Sequence, residues 1–182
     1  MSKKRREYWT QGSELYVIGP DAEDPSQLVC IKIQGVSDIG MPEPTRNKVD
    51  STTLDETEIE TSIPGLLSSA EMTITCNYLD DDPGQMYLEQ MEDSEVLLTF
   101  AIGFSKGKGI KPEVTADSFT LPNSRGWCRF SGEVSTSGIQ TPKNAVMPFV
   151  CKVDVTSKPK VLRAGRTVEV AKMSLPKVED KK

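Results

Sequence analysis

Apolar and polar residues alternate strictly in short segments along this chain, and that period of two is what most restricts the fold. In EVLLTFAIGF, Val96, Leu98, Phe100, Ile102 and Phe104 fall on one face of an extended backbone. In AEMTITCNYL, Met72, Ile74, Cys76 and Tyr78 alternate with Glu71, Thr73, Thr75 and Asn77. LVCIKI sets Val29, Ile31 and Ile33 against Leu28, Cys30 and Lys32, and MPFVCKVDV repeats the pattern from Met147 to Val155. SFTLP and GWCRFSGEV add two strands, around residues 117–121 and 126–136. Pro148 cannot donate to a ladder, so it predicts an edge or a bulge. GPDAEDPS, GMPEP, GKGIKP, LPNSRG and TPKN punctuate the runs as turns. Many short strands separated this way specify a mainly β chain, an antiparallel sandwich or barrel.

One segment breaks the rhythm. DDDPGQMYLEQMED offers Asp82 as N-cap and Pro83 at the first helical position, predicting a helix over about 83–93 that flanks the sheet. Met86, Tyr87, Leu88 and Met91 form its apolar face, and Asp80 and Asp81 suit the positive end of its dipole. Residues 1–14 read as a polar, basic arm anchored by Tyr8 and Trp9. Residues 15–156 read as the β domain, and the Lys-rich residues 157–182 as a C-terminal extension.

The residue inventory excludes much chemistry. The chain has no histidine, which removes the commonest general base and metal ligand together. Cys30, Cys76, Cys128 and Cys151 lack metal-site spacing; each lies in an apolar run and reads as a buried thiol, a disulfide being the alternative. No cofactor is expected. Lys3–Arg6 are followed by no apolar stretch of signal-peptide type, which predicts a protein made and kept in a cytoplasm, or assembled from there. GFSKGKGIK lacks the spacing of a phosphate loop and reads as a hairpin tip. Asp80–Asp82 are better explained by helix capping than by cation binding, and the exposed pair Glu58 and Glu60 lacks the burial a hydrolytic dyad needs.

The segment from Glu43 to Ile63 fits no ordinary loop. It is too long for a turn, it is rich in Thr, and only Val49, Leu54, Ile59 and Ile63 are strongly apolar. It reads as a projecting β-hairpin or extended flap whose few apolar residues are buried only against another copy, a floppy acidic loop being the alternative. Ile63, Pro64, Gly65 and Leu66 read as the turn that brings the chain back to the core. Charge is uneven as well: residues 38–82 hold eleven acids against Arg46 and Lys48, and residues 152–182 hold nine bases against four acids. This is either ordinary solvated surface or the sign of copies meeting acidic middle to basic terminus.

The ordered series of these features resembles the tail tube proteins of long, non-contractile-tailed bacteriophages. It comprises a D-x-T-T-L-D element (Asp50, Thr52, Thr53, Leu54, Asp55), then IPGL at Ile63–Leu66, a strand from Glu71 to Asn77 and a short Gln- and Leu-bearing helix. The resemblance is strong over about 14–105 and only a strand rhythm over 113–156. Glu56, Glu58 and Glu60, the Leu67–Ser69 stretch and the C-terminal extension depart from the common pattern.

The resemblance implies subunits that join edge to edge into rings, typically hexameric, stacked as a hollow tube for DNA. It implies that the loop carrying Arg46, Val49, Asp50, Thr52, Thr53, Leu54, Asp55, Glu56, Glu58, Ile59 and Glu60 reaches the adjacent ring. The N-terminal arm, with Arg5, Arg6, Tyr8 and Trp9, is expected to do the same, and Glu71, Thr73, Thr75 and Asn77 to face the lumen. Tape-measure, tail-terminator and distal-tail or baseplate proteins are the implied partners. DNA passes without specific binding, and assembly takes place in the bacterial host cytoplasm. The alternatives are an inner tube of a contractile tail or secretion system, and a monomeric β-barrel binding module.

Overall fold

The computed structural model describes residues 11–41, 45–50, 62–68, 70–165 and 169–173. Among these residues thirteen strands and one helix follow in chain order: β1 (Glu14–Pro20), β2 (Leu28–Ile33), β3 (Val36–Ile39), β4 (Arg46–Asp50), β5 (Ser62–Leu67), β6 (Ala70–Asn77), α1 (Pro83–Glu92), β7 (Leu98–Gly103), β8 (Glu113–Val114), β9 (Ser118–Leu121), β10 (Trp127–Ile139), β11 (Pro148–Val155), β12 (Lys160–Leu162) and β13 (Glu169–Lys172). The main sheet has eight strands. Its path is β2-β1-β7-β10-β11-β6-β3, with β12 on the first residues of β10. Every pairing in it is antiparallel.

The two ends of that path, β2 and β3, are consecutive in the chain, with only Gln34 and Gly35 between them. The sheet therefore curls until its ends nearly meet. Gly35 adopts φ +69°, and a Cβ there would lie 2.8 Å from the Asn77 carbonyl oxygen. The closure is tied by α1: Gln85 Nε2 donates to the carbonyls of Asn77 (3.0 Å) and Gln34 (3.4 Å). Gln85 Oε1 accepts from Leu79 N at 3.2 Å. Asp82 caps the helix as expected, accepting from Gln85 N at 3.0 Å, and also accepts from Gln34 N at 3.3 Å.

Inside the curl lies the larger core. Leu15, Val17, Met72, Ile74, Cys76, Leu98, Phe100, Ile102, Phe130, Phe149 and Val153 pack there with Tyr87, Leu88 and Met91 of the helix. Phe100 and Phe130 stack across β7 and β10 with ring centroids 5.4 Å apart. Met86, expected on the apolar helix face, is instead half exposed. A smaller core covers the other side of β1, β7 and β10, where Tyr16, Ile18, Ala101 and Trp127 meet Phe119 and Leu121. The three-stranded sheet β13-β9-β8 forms its lid.

The readings of Pro148 and of GFSKGKGIK are corrected. Pro148 marks neither an edge nor a bulge: it starts β11, an interior strand, where a first residue needs no donor. The irregularity lies on the neighbouring strand, between Val134 and Thr136 of β10, opposite Val153 and Lys152. GFSKGKGIK is not a hairpin tip, because β7 lies in the main sheet while β8 pairs with β9. Part of the extension 157–182 is built into the fold, as β12 on β10 and β13 on β9.

Candidate assembly surfaces

The β4–β5 hairpin forms a two-stranded sheet of its own, hydrogen-bonded to no other strand among the described residues. Val49 pairs with Ile63 and Asp50 with Ser62, with an irregularity between Arg46 and Lys48. Thr45 and Ser68 close its base: Ser68 N donates to the Thr45 carbonyl at 2.8 Å, and Ser68 Oγ lies 3.0 Å from the same oxygen. The IPGL segment is therefore not a turn into the core. Pro64 and Gly65 lie within β5, opposite β4, and Ile63 is 59% exposed. A proline is tolerated there because β5 is an edge strand. Thr52, Thr53, Leu54, Asp55, Glu56, Glu58, Ile59 and Glu60 lie outside the described residues, as do Arg5, Arg6, Tyr8 and Trp9.

The second surface is the outer face of β10-β11-β6-β3. On β6 the burial alternates residue by residue, with Met72, Ile74 and Cys76 inward and Glu71, Thr73, Thr75 and Asn77 on the opposite face. Across the strands Glu71 pairs with Asp154, Thr73 with Lys152 and Thr75 with Asp38. Glu133 of β10 stands opposite Asp154. Acids directly opposite one another repel. Lys152 relieves one of them, its Nζ 2.9 Å from Glu71 Oε1. The face is thus polar and acidic, with Asp38, Glu71, Glu133 and Asp154 around a single lysine in these pairings.

Both flanks of this four-stranded unit are open among the described residues. β3 pairs with β6 on one side and with no strand on the other. β7 pairs with β10 only as far as Gly132, so Glu133–Ile139 has β11 on one side and no described strand on the other.

A buried ionic node holds the opposite end of β1, and sequence reasoning missed it. Glu14, first residue of β1, accepts from Arg125 Nη1 at 2.5 Å, from Lys32 Nζ at 2.6 Å and from Gly109 N at 3.0 Å. Arg125 is fully buried over the Trp127 ring and also donates to the carbonyls of Gly103, Phe104 and Ile110. Burial alone would raise the Glu14 pKa. The hydrogen bonds from Lys32, Gly109 and Arg125, with the Arg125 charge, outweigh it and hold the carboxyl at about 2. The node ties the first residue of β1 to Arg125, to Lys32 of β2 and to Gly109 of the β7–β8 connection. The cysteines do no comparable work: all four are free, and burial pushes Cys30, Cys76 and Cys151 up to about 12.

Residues 6–164 match the family model described as phage tail tube, TTP, lambda-like. Structural protein 3 of Pseudomonas phage PAJU2 is 26% identical over 153 residues, covering 82% of this chain and 90% of that protein. The fold is similar to that of the SPP1 tail tube, with TM-score 0.58 at 9% identity over 86% of this chain and 80% of that one. It is similar to a chain of the anti-feeding prophage baseplate as well, with TM-score 0.58 at 8% identity over 91% of this chain and 100% of that one. The structural likenesses bear on fold alone; the family match covers most of the chain. The chain belongs to the lambda-like phage tail tube family and is a structural protein of the tail tube.

Proposed function

We propose that copies of this chain close into hexameric rings by pairing the free edge of β3 with the free edge of β10 in the next copy, and that the rings stack into a tube whose lumen carries DNA. The observation that carries this reading is the four-stranded unit β10-β11-β6-β3, with two open flanks among the described residues. Its strands alternate in direction, so β3 and β10 run opposite to one another. Rotation about a ring axis leaves strand direction along that axis unchanged. A seam between β3 of one copy and β10 of the next is therefore antiparallel and continues the sheet. Closure also removes exposed edges that a monomer would have to protect.

In this arrangement the outer face of β6, with Glu71, Thr73, Thr75 and Asn77, lines the lumen. Its acidic character keeps the phosphate backbone from sticking as DNA slides. The hairpin carrying Arg46, Val49 and Asp50, together with residues 51–61, reaches the adjacent ring, and the N-terminal arm joins it. Tube ends meet tape-measure, terminator and distal-tail or baseplate proteins. Assembly takes place in the host cytoplasm, and the protein acts without catalysis.

Negative-stain microscopy of the concentrated protein tests the reading. Rings or striated tubes are expected. A monomer at every concentration by light scattering, with neither rings nor tubes, would overturn it. The hairpin has its own test. Excising residues 46–67 joins Thr45 to Ser68, which are already hydrogen-bonded. Rings that no longer stack are expected; tubes of ordinary length would refute the stacking role.

A further inference from the structure

We infer that the acidic hairpin of one copy seats on a preformed basic ledge of a copy in the next ring. That ledge is the β7–β8 connection FSKGKGIKP, residues 104–112. The inference rests on the stacking role given to the hairpin above and names its receiving surface.

The ledge carries Lys106, Lys108 and Lys111, all exposed, and no acid intervenes between Glu95 and Glu113. Gly107 and Gly109 take φ +100° and +90°, conformations that shape a compact knuckle and that other residues rarely adopt. The knuckle is held from beneath. Gly109 N donates to Glu14 Oε2 at 3.0 Å, the Ile110 carbonyl accepts from Arg125 Nη1 at 3.1 Å, and Ile110 N donates to the Gly107 carbonyl at 3.1 Å. The carboxylate below is already matched by Arg125 and Lys32, so it does not neutralise Lys108 and Lys111 above. A Cβ added at Gly109 would meet nothing within 4 Å, so the crest stands open. The surface is cationic, rigid and accessible, and a rigid binding surface loses little entropy on association.

The chain also carries the matching anion. Residues 50–60, DSTTLDETEIE, hold Asp50, Asp55, Glu56, Glu58 and Glu60 and no base. In the chain they run from the end of β4 towards β5, and those two strands pair with no other strand among the described residues. Opposite charges on two surfaces of one chain favour head-to-tail association of copies and fix its register. A nucleic acid is the weaker occupant, because single-strand grooves add stacking aromatics to their lysines. Phe104, the aromatic of this connection, packs against the larger core.

The test is a charge swap in the full chain. K108E/K111E changes two exposed positions outside the ring-closing strands, so folding and ring formation should persist. The ring-to-ring association constant should fall at least about tenfold, because like charges across an interface oppose association. Mean tube length should shorten with it. Adding E56K/E58K to that variant should restore length, a rescue that damage to folding would not allow. Wild-type stacking should also weaken as salt rises from about 0.05 to 0.5 M. Tubes of wild-type length from K108E/K111E would overturn the ledge while leaving ring closure intact. Loss of binding to a single-stranded DNA probe with tube length unchanged would assign the ledge to nucleic acid and overturn it equally. A wild-type protein that forms neither rings nor tubes would remove both readings.

Discussion

Replacing Glu14 with glutamine tests the ionic node, because the lowered carboxyl pKa sets an expected size and pH dependence for the effect. In the unfolded chain this carboxyl titrates at about 4.5; in the fold it is held at about 2. One pKa unit corresponds to about 1.36 kcal/mol, so the depression amounts to about 3 kcal/mol of linked stability. The folded pKa is lowered, so the contribution is fully present above the unfolded value and is lost as pH falls through about 2. The substituted amide keeps the shape and some hydrogen bonding but stands in for the protonated acid at every pH. Urea unfolding of E14Q and wild type, run in parallel from about pH 7 to pH 2 at concentrations too low for assembly, should give a gap of about 3 kcal/mol at neutral pH. The gap should close steadily below about pH 5 and nearly vanish at about pH 2. The other carboxylates titrate in both proteins and cancel in the difference. A gap that stays constant over the whole range would mean that Glu14 is not ionised against Arg125 in the fold, and would refute the account of the node.

Other consequences follow from single contacts. A Cβ at Gly84 would lie 2.8 Å from Ile33 Cα and 2.9 Å from the Lys32 carbonyl oxygen, both main-chain atoms. G84A should therefore lift α1 off β2 and cost about 1–3 kcal/mol despite alanine's better helix propensity, read as a lowered Tm. Phe130→Ala removes half of a buried ring stack and should cost about 3–5 kcal/mol in the same melt. Native protein at mildly alkaline pH should react slowly with iodoacetamide, since three of its thiols are buried and Cys30 is pushed up to about 12; all four should react quickly once unfolded.

How legible each strand is in the sequence follows from how many of its faces are buried. β6 and β11 bury one face, so their alternation is plain, and β6 supplies both the core set Met72, Ile74 and Cys76 and the polar set opposite. β1 is invisible to the same reasoning. Leu15 and Val17 enter the larger core while Tyr16 and Ile18 enter the smaller one, leaving an unbroken apolar run with no period. Its signal is of another kind, a short apolar run bounded by Gly12 and Pro20. The last residues of β10 are hidden too, because Ser137 and Gly138 carry little hydrophobic information. IPGL misleads because proline and glycine signal turns in most contexts, whereas β5 needs few donors. The Glu14–Arg125 pair joins residues 111 apart, and no local pattern announces such a contact.

The main sheet divides its work along its length. At the β2-β1-β7 side and the first half of β10, both faces are buried, the far one under β13-β9-β8, and the ionic node secures the end. Those strands hold the fold together. Beyond Gly132 β10 parts from β7 and, with β11, β6 and β3, keeps a core on one face only. The other face is covered with Thr, Ser and acids, and its edges are open on both flanks among the described residues. Such a surface is poor material for stabilising a monomer, since it buries little and leaves backbone groups unpaired. β10 joins the two halves: it is thirteen residues long, and its irregularity between Val134 and Thr136 lies just past the point where β7 stops. A bulge there increases local twist and turns the second half of the strand away from the first. In the proposed ring this bend sets the angle at which one copy presents its open edge to the next.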